Sequence, residues 1–249
     1  MRLRFLIFCC GFAVLLAQDK PVQTPTAPQS DVKPNTKPAV RRFSAGGILS
    51  FSGFQLMENK SLTEATTATK STVFTTTPKG QRFGGGAFVQ VALDKHFAVT
   101  ASALLRRVSF ETNNDTTEGT KVSKQNDFSS ADFLEFPILL RRYSKSRYEE
   151  GARWYGEGGL ALRRVRNVRS SVQNTAIDGK VTCCDERPVA VANRFATGFT
   201  VGGGYQFIDQ FGLRFIPGIR YTRWTQGTFD NRSVRSNRNQ LEAIIAITF

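Results

Sequence analysis

Eight segments of alternating apolar and polar residues, joined by connections that are short and long in strict turn, predict an all-β fold. A third observation gives the fold its setting: the face opposite the apolar one carries charges that a dry soluble core would reject. Together these predict an eight-stranded antiparallel up-and-down transmembrane β-barrel with long external loops.

The N-terminus comes first in the chain and decides the compartment. Arg2 and Arg4 precede an apolar run from Phe5 to Ala17, and polar Gln18-Asp19-Lys20 follows it. That run is too short for a spanning helix and fits the hydrophobic region of a secretory signal, so residues 1–17 are expected to be a signal peptide. Residues 18–41 hold five of the nine prolines (Pro21, Pro25, Pro28, Pro34 and Pro38) without a hydrophobic period, and are expected to be a disordered Pro/Thr-rich linker. The barrel is expected over 42–249.

The apolar faces of the eight segments are Phe43 to Phe51, Phe83 to Leu93, Phe97 to Leu105, Leu134 to Leu140, Trp154 to Leu162, Phe199 to Phe207, Leu213 to Tyr221 and Leu241 to Phe249, each read at every second residue. Each segment is about 9–13 residues long, enough to cross a bilayer when tilted. A helix would space its apolar residues three and four apart, and no segment sustains that. Short connections lie around 94–96, 144–150 and 208–210. Long ones cover about 57–81, 111–130, 164–194 and 225–239, rich in Thr, Ser, Asn and charge. In a meander this alternation puts all long loops at one end and all short turns, with both termini, at the other. A closed barrel of this kind satisfies its backbone internally. Phe97, Trp154, Phe207, Tyr221 and Phe249 sit near strand ends, where interfacial aromatics belong.

Phe133-Leu134-Glu135-Phe136-Pro137-Ile138-Leu139-Leu140-Arg141-Arg142-Tyr143 resembles the fourth-strand motif of small bacterial outer-membrane β-barrel proteins, the OmpA/OmpX-like "porin family". Gly218-Ile219-Arg220-Tyr221-Thr222-Arg223-Trp224 is similar to the penultimate strand of that group. The last strand, following Ser236-Asn237-Arg238-Asn239-Gln240 and finishing in Phe249, is similar again. The resemblance covers about 43–249 and implies a place in the outer membrane of a Gram-negative envelope. It implies Phe249 as the signal read by the barrel-assembly machinery. The connections here, above all 164–194, depart from the pattern by their length.

Two groups of charged residues are candidates for function. Arg106, Glu135, Glu157, Arg214, Arg220 and Glu242 face the interior of a barrel whose eight strands leave room only for side chains, so they are expected to pair as an ion-pair network. Arg163, Arg164, Arg166, Arg169, Arg223, Arg232, Arg235 and Arg238 crowd the long-loop end. There, guanidinium groups could pair with the phosphates of anionic glycolipid in the outer leaflet. His96, the single histidine, falls in a short turn at the inner end, away from any outer-leaflet acyl chemistry, so no enzymatic role is expected. Gly84-Gly85-Gly86 and Gly202-Gly203-Gly204 lie within strands and read as close-packing positions, not phosphate loops. Neither metal nor cofactor is expected, and Cys183-Cys184 form no multi-bridge framework.

A formal net charge of +14 would ordinarily suggest nucleic acid, but export removes that partner. The expected role is that of a non-enzymatic envelope protein, monomeric, acting at the surface through its extracellular loops. Its expected contacts are membrane lipid and anionic glycolipid. The alternatives are a small anion-preferring diffusion channel and, in another class, a secreted soluble barrel binding an apolar ligand.

Overall fold

A computed structural model describes residues 42–67, 70–80, 82–146, 151–176, 178–185, 189–209, 211–231 and 234–249. The expected signal peptide and linker lie outside the described residues. Eleven strands and no helix occur among the described residues: β1 (Phe43–Ser52), β2 (Lys60–Thr67), β3 (Lys70–Pro78), β4 (Phe83–Ala92), β5 (Phe97–Glu118), β6 (Lys121–Tyr143), β7 (Arg153–Thr175), β8 (Val181–Asp185), β9 (Phe195–Ile208), β10 (Arg214–Trp224) and β11 (Asn239–Thr248). Eight of them form a closed antiparallel ring in the order β1–β4–β5–β6–β7–β9–β10–β11, with β11 pairing back onto β1. Every apolar segment read from the sequence falls, to within one residue at its ends, in one of these eight.

Three strands correct the expected lengths. β5, β6 and β7 run 22, 23 and 23 residues, about twice what a bilayer needs, so connections read as loops are largely strand. The 111–130 connection is a continuous β5–β6 ladder closed by Gly119-Thr120, where the positive φ of Gly119 suits a two-residue hairpin turn. The 57–81 connection holds the β2–β3 hairpin, which adds to the outer half of β5, and β8 adds to the outer half of β7. The result is a six-stranded sheet, β2–β3–β5–β6–β7–β8, rising beyond one side of the ring. Thr is a good strand former, and its hydroxyls pair across this sheet, as between Thr76 and Thr112 at 3.2 Å.

Ring strands expose the apolar face and bury the polar one. Phe43, Leu49, Phe83, Leu105, Trp154, Leu160, Phe199, Val201 and Ile219 all point out. Facing inward are the buried charges Arg106, Glu135, Arg141, Arg153, Glu157, Arg163, Arg214, Arg220 and Glu242. This is the reverse of a soluble barrel, and it suits a wall facing hydrocarbon. The apolar band has a sharp outer limit: the next outward residue after Leu105 is Arg107, after Leu134 is Asp132, after Leu162 is Arg164 and after Tyr221 is Arg223. Aromatic contacts mark both margins. Phe51 and Phe83 meet at 5.1 Å on the loop side, and Phe207 meets Tyr205 and Phe215 at 6.4 and 6.3 Å on the turn side.

Interior glycines make room for large neighbours on adjacent strands. A Cβ on Gly198 would stand 2.9 Å from the Trp224 ring, and one on Gly84 2.7 Å from Arg106 Cγ. Gly204 and Gly218, opposite each other on β9 and β10, form a floor beneath the Tyr155 hydroxyl. Above the apolar band, β7 carries a bulge. The register jumps from Asp132↔Arg166 to Ser130↔Arg169, with Asn167 in the left-handed region at φ 49°.

The loop-side mouth is capped by an apolar cluster. Phe229, from the last long connection, packs on Phe110 and Phe133 at 5.6 and 6.3 Å, beside Leu56, Met57 and Val234. Backbone bonds tie this connection down: Glu58 N donates to Arg235 O at 2.8 Å, Asn237 N to Leu56 O at 2.8 Å and Ala192 N to Thr228 O at 3.0 Å.

The packing beneath Tyr155 generates a test. Gly218→Val should push against that hydroxyl and cost roughly 1–3 kcal/mol, as overpacking does. Its urea midpoint in lipid vesicles is expected to fall, and Tyr155→Phe in the same chain should restore part of the loss by removing the obstructed oxygen.

Candidate functional site

Inside the ring, two clusters of charge are built on the inward face of alternate residues. The one nearer the loops centres on Glu135 of β6. Arg163 stands directly opposite it on β7 and donates from Nη2 at 2.7 Å and Nε at 3.0 Å. Arg106 of β5 donates from Nε to the second carboxylate oxygen at 3.1 Å, and its Nη2 reaches Ser50 Oγ at 2.7 Å. The same Nη2 also pairs with Glu242 of β11. Gln240 of β11 joins the cluster through its amide, donating to Glu135 Oε2 at 3.1 Å and accepting from Trp224 Nε1 at 2.9 Å. β6 and β11 are four places apart in an eight-strand ring, so the Glu135–Gln240 bond spans the interior from wall to wall.

The second cluster centres on Glu157 of β7. Arg141 of β6 donates from Nη2 and Nε at 2.7 and 3.0 Å, and Arg220 of β10 donates from Nε at 2.6 Å. Arg141 also reaches Gln90 of β4, which accepts from the Tyr143 hydroxyl at 2.9 Å. Aromatic faces complete the surroundings of the cations: Arg141 lies 3.9 Å from the Tyr155 ring centre and Arg163 3.9 Å from that of Trp224. Buried ions are tolerated where each is paired and hydrogen-bonded in this way.

All six interior residues named from the sequence face inward. Arg106, Glu135, Glu157, Arg220 and Glu242 enter the two clusters. Arg214 stands apart near the short turns and donates to Ser44 Oγ at 3.2 Å. Arg163 requires a correction. Grouped with the surface arginines by its place in the sequence, it is only 2% exposed and belongs to the Glu135 cluster. Its parity gives the reason: Tyr155, Glu157, Ala161 and Arg163 share one face of β7, whereas Leu162 and Arg164 share the other. Arg141 was missed, although it lies at the same parity as Glu135 within the quoted β6 motif.

The other arginines separate by environment. Arg164, Arg166, Arg169 and Arg223 are exposed; Arg164 lies 5.4 Å from the Phe195 ring centre, at the rim of the apolar band. Arg107 and Arg194, also exposed, extend this rim and were not singled out by the sequence. Arg107 pairs with Asp132 at 3.2 Å. Arg235 lies 3.8 Å from Glu58 and Arg238 3.4 Å from Asp230, within the tied-down last connection. Arg232 lies outside the described residues. His96 is in the β4–β5 turn, its carbonyl accepting from Tyr143 N at 2.8 Å, and Cys183 is disulfide-bonded. Phe249 ends the outward face of the last strand and is exposed.

Residues 17–223 match the family model described as outer membrane protein beta-barrel domain. The chain belongs to this family. No curated protein matches it. Among solved structures, this outer membrane beta-barrel domain is similar to the outer membrane protein OprG from Pseudomonas aeruginosa, at 12% identity and a TM-score of 0.43, covering 83% of this chain and 93% of that one. It is also similar to Ail, the attachment invasion locus protein of Yersinia pestis, solved in complex with the heparin analogue sucrose octasulfate. Identity is again 12%, with 83% and 96% of the two chains covered and a TM-score of 0.35.

The Glu157 cluster makes the outer membrane beta-barrel domain sensitive to one carboxylate. Glu157→Gln leaves two buried guanidinium groups facing a neutral amide and should cost roughly 3–5 kcal/mol. The expected result is a lowered urea midpoint in lipid vesicles, whereas Glu118→Gln at the exposed hairpin turn should leave the midpoint unchanged.

Proposed function

We propose that this protein is a non-enzymatic, non-conducting outer-membrane surface protein, exported by its N-terminal signal, whose arginine rim engages anionic glycolipid. The observation that carries this reading is the abrupt change from apolar to charged residues at the outer edge of the wall. Arg164, Arg166 and Arg223, with Arg107 and Arg194, occupy the level at which lipid phosphates would meet a barrel embedded to that edge. Guanidinium groups suit that contact because they pair bidentately with phosphate oxygens. The six-stranded sheet above the rim would then stand clear of the headgroups and offer its Thr-, Ser- and Asn-rich faces to partners outside the cell.

Diffusion through the interior is disfavoured by the wall-to-wall Glu135–Gln240 bond, the Arg106–Glu242 pair and the Phe229 cap. In planar bilayers the purified protein is expected to give no conductance steps, and regular steps would sink the non-conducting reading. Binding to vesicles containing glycolipid with intact phosphates should fall at least threefold in an Arg164→Gln, Arg166→Gln, Arg223→Gln triple variant. Vesicles of dephosphorylated glycolipid should not distinguish the triple variant from wild type. Equal binding of both proteins to the phosphorylated glycolipid would remove the arginine rim as the contact.

A further inference from the structure

Above the arginine rim, the outward face of the six-stranded sheet serves neither charge cluster. On β6 the outward residues beyond Asp132 are Ser130, Phe128 and Asn126, since Ser129, Ala131 and Phe133 are the buried ones. Phe128 is 46% exposed and is the one exposed aromatic of this sheet among the described residues. Glu111 stands opposite it on β5 and Ser171 on β7. The next row outward is a line of hydroxyl and amide side chains across four strands: Thr75, Asn113, Asn126 and Gln173. The Asn113 amide oxygen in this row is shut off from solvent and accepts no hydrogen bond. Shielded polar atoms are rarely left in that state, so a donor arriving from outside would meet a need already present.

The chemistry of this face selects its occupant. An amide offers a donor and an acceptor side by side, which matches a sugar hydroxyl, itself both donor and acceptor. An aromatic ring adds a seat for the C–H bonds of a sugar, whose partly positive hydrogens meet the negative π face. Acids on this face have bases beside them: Glu111 pairs with Lys79, and Asp115 stands opposite Lys124. An uncharged ligand therefore suits the face better than an anion does. A protein partner would look for a contiguous apolar centre, and Phe128 stands alone. Position points to the source of the sugar. Phe128 lies four residues beyond Asp132 of the rim, about 13 Å along the strand, with exposed Arg169 in the row between. The four-strand row spans about 14 Å, room for a short oligosaccharide. We infer that this face holds the sugar chain of the glycolipid whose phosphates meet the arginine rim. One sugar ring stacks on Phe128, and hydroxyls bond Asn113, Asn126 and Gln173. The choice of glycolipid rests on the rim reading; the sugar contact rests on Phe128 and the amide row.

The test uses the full chain in phospholipid nanodiscs that contain no glycolipid. The probe is the water-soluble core oligosaccharide of an outer-membrane glycolipid, freed of its acyl chains and phosphates. Binding is read by saturation-transfer NMR over a concentration series. Saturable binding is expected, and Phe128→Leu and Asn126→Leu should each weaken it about fivefold or more. Thr72→Val should leave it unchanged, because Thr72 lies on the opposite face of the same sheet, 3.2 Å from the Thr116 hydroxyl. The proposal is overturned if the wild-type protein shows no saturable binding, or if either leucine variant binds as the wild type does. It is equally overturned if Thr72→Val weakens binding as much as they do. Should Phe128→Leu lose the heat-modifiable gel shift of a folded barrel, Asn126→Leu decides the matter alone. The probe carries no phosphate, so failure of the rim reading would show only with phosphorylated glycolipid vesicles, and failure of the sugar contact only here.

Discussion

Glu135 and Gln240 stand on opposite walls of the ring, and the hydrogen bond between them constrains everything around it. A carboxylate buried at the centre of a narrow barrel is tolerable only with cations beside it, which commits Arg106 and Arg163 to the interior. Those cations in turn need their remaining donors met, which brings in Ser50, Gln240 and Glu242 from the far side. The middle of the interior is thereby filled with polar contacts, and only small apolar clusters, around Phe88 and Ile216 and around Phe229, find room inside. Most hydrophobic residues of the same strands then lie outside, and lipid makes that arrangement favourable.

The size of the braces determines the composition of the walls. Arginine, tyrosine and tryptophan side chains reaching into an eight-strand ring need neighbours with no side chain at all, and the glycines of β4, β9 and β10 supply that room. The Gly-rich runs and the interior arginines are therefore two halves of one packing solution. The outer mouth follows a different rule: beyond the last charge, inward residues turn apolar and Phe229 closes over them.

Where one face of a strand is apolar, the sequence was easy to read, and all eight ring strands emerged from period-two alternation. The outer halves of β5, β6 and β7 were not legible for the same reason. Toward the tips both of their faces are largely polar, so Thr-Asn-Asn-Asp-Thr-Thr carries no alternation and resembles a loop by composition. Pairing across the hairpin, which one sequence does not display, is what makes it strand. Within the site, parity would have found Arg141 and Arg163, since each lies an even number of residues from a glutamate already placed inside. Proximity in sequence to Arg164 and Arg166 hid Arg163. The orphaned amide oxygen of Asn113 could not have been anticipated, because satisfaction of a hydrogen bond depends on partners from other strands.

Parity itself has a limit, and the bulge at Asn167 marks it. A strand is a signal of period two, and one inserted residue shifts its phase by half a cycle. Below the insertion, odd-numbered residues of β7 such as Arg163 and Val165 point inward; above it, Ser170 and Val172 do, and Arg169 is turned to water. Without that phase shift, Arg169 would share the inward face with the apolar cap around Phe229. A single residue in the left-handed conformation thus lets one continuous strand keep a charge inside the barrel, where glutamates await it, and put another outside, where none are needed.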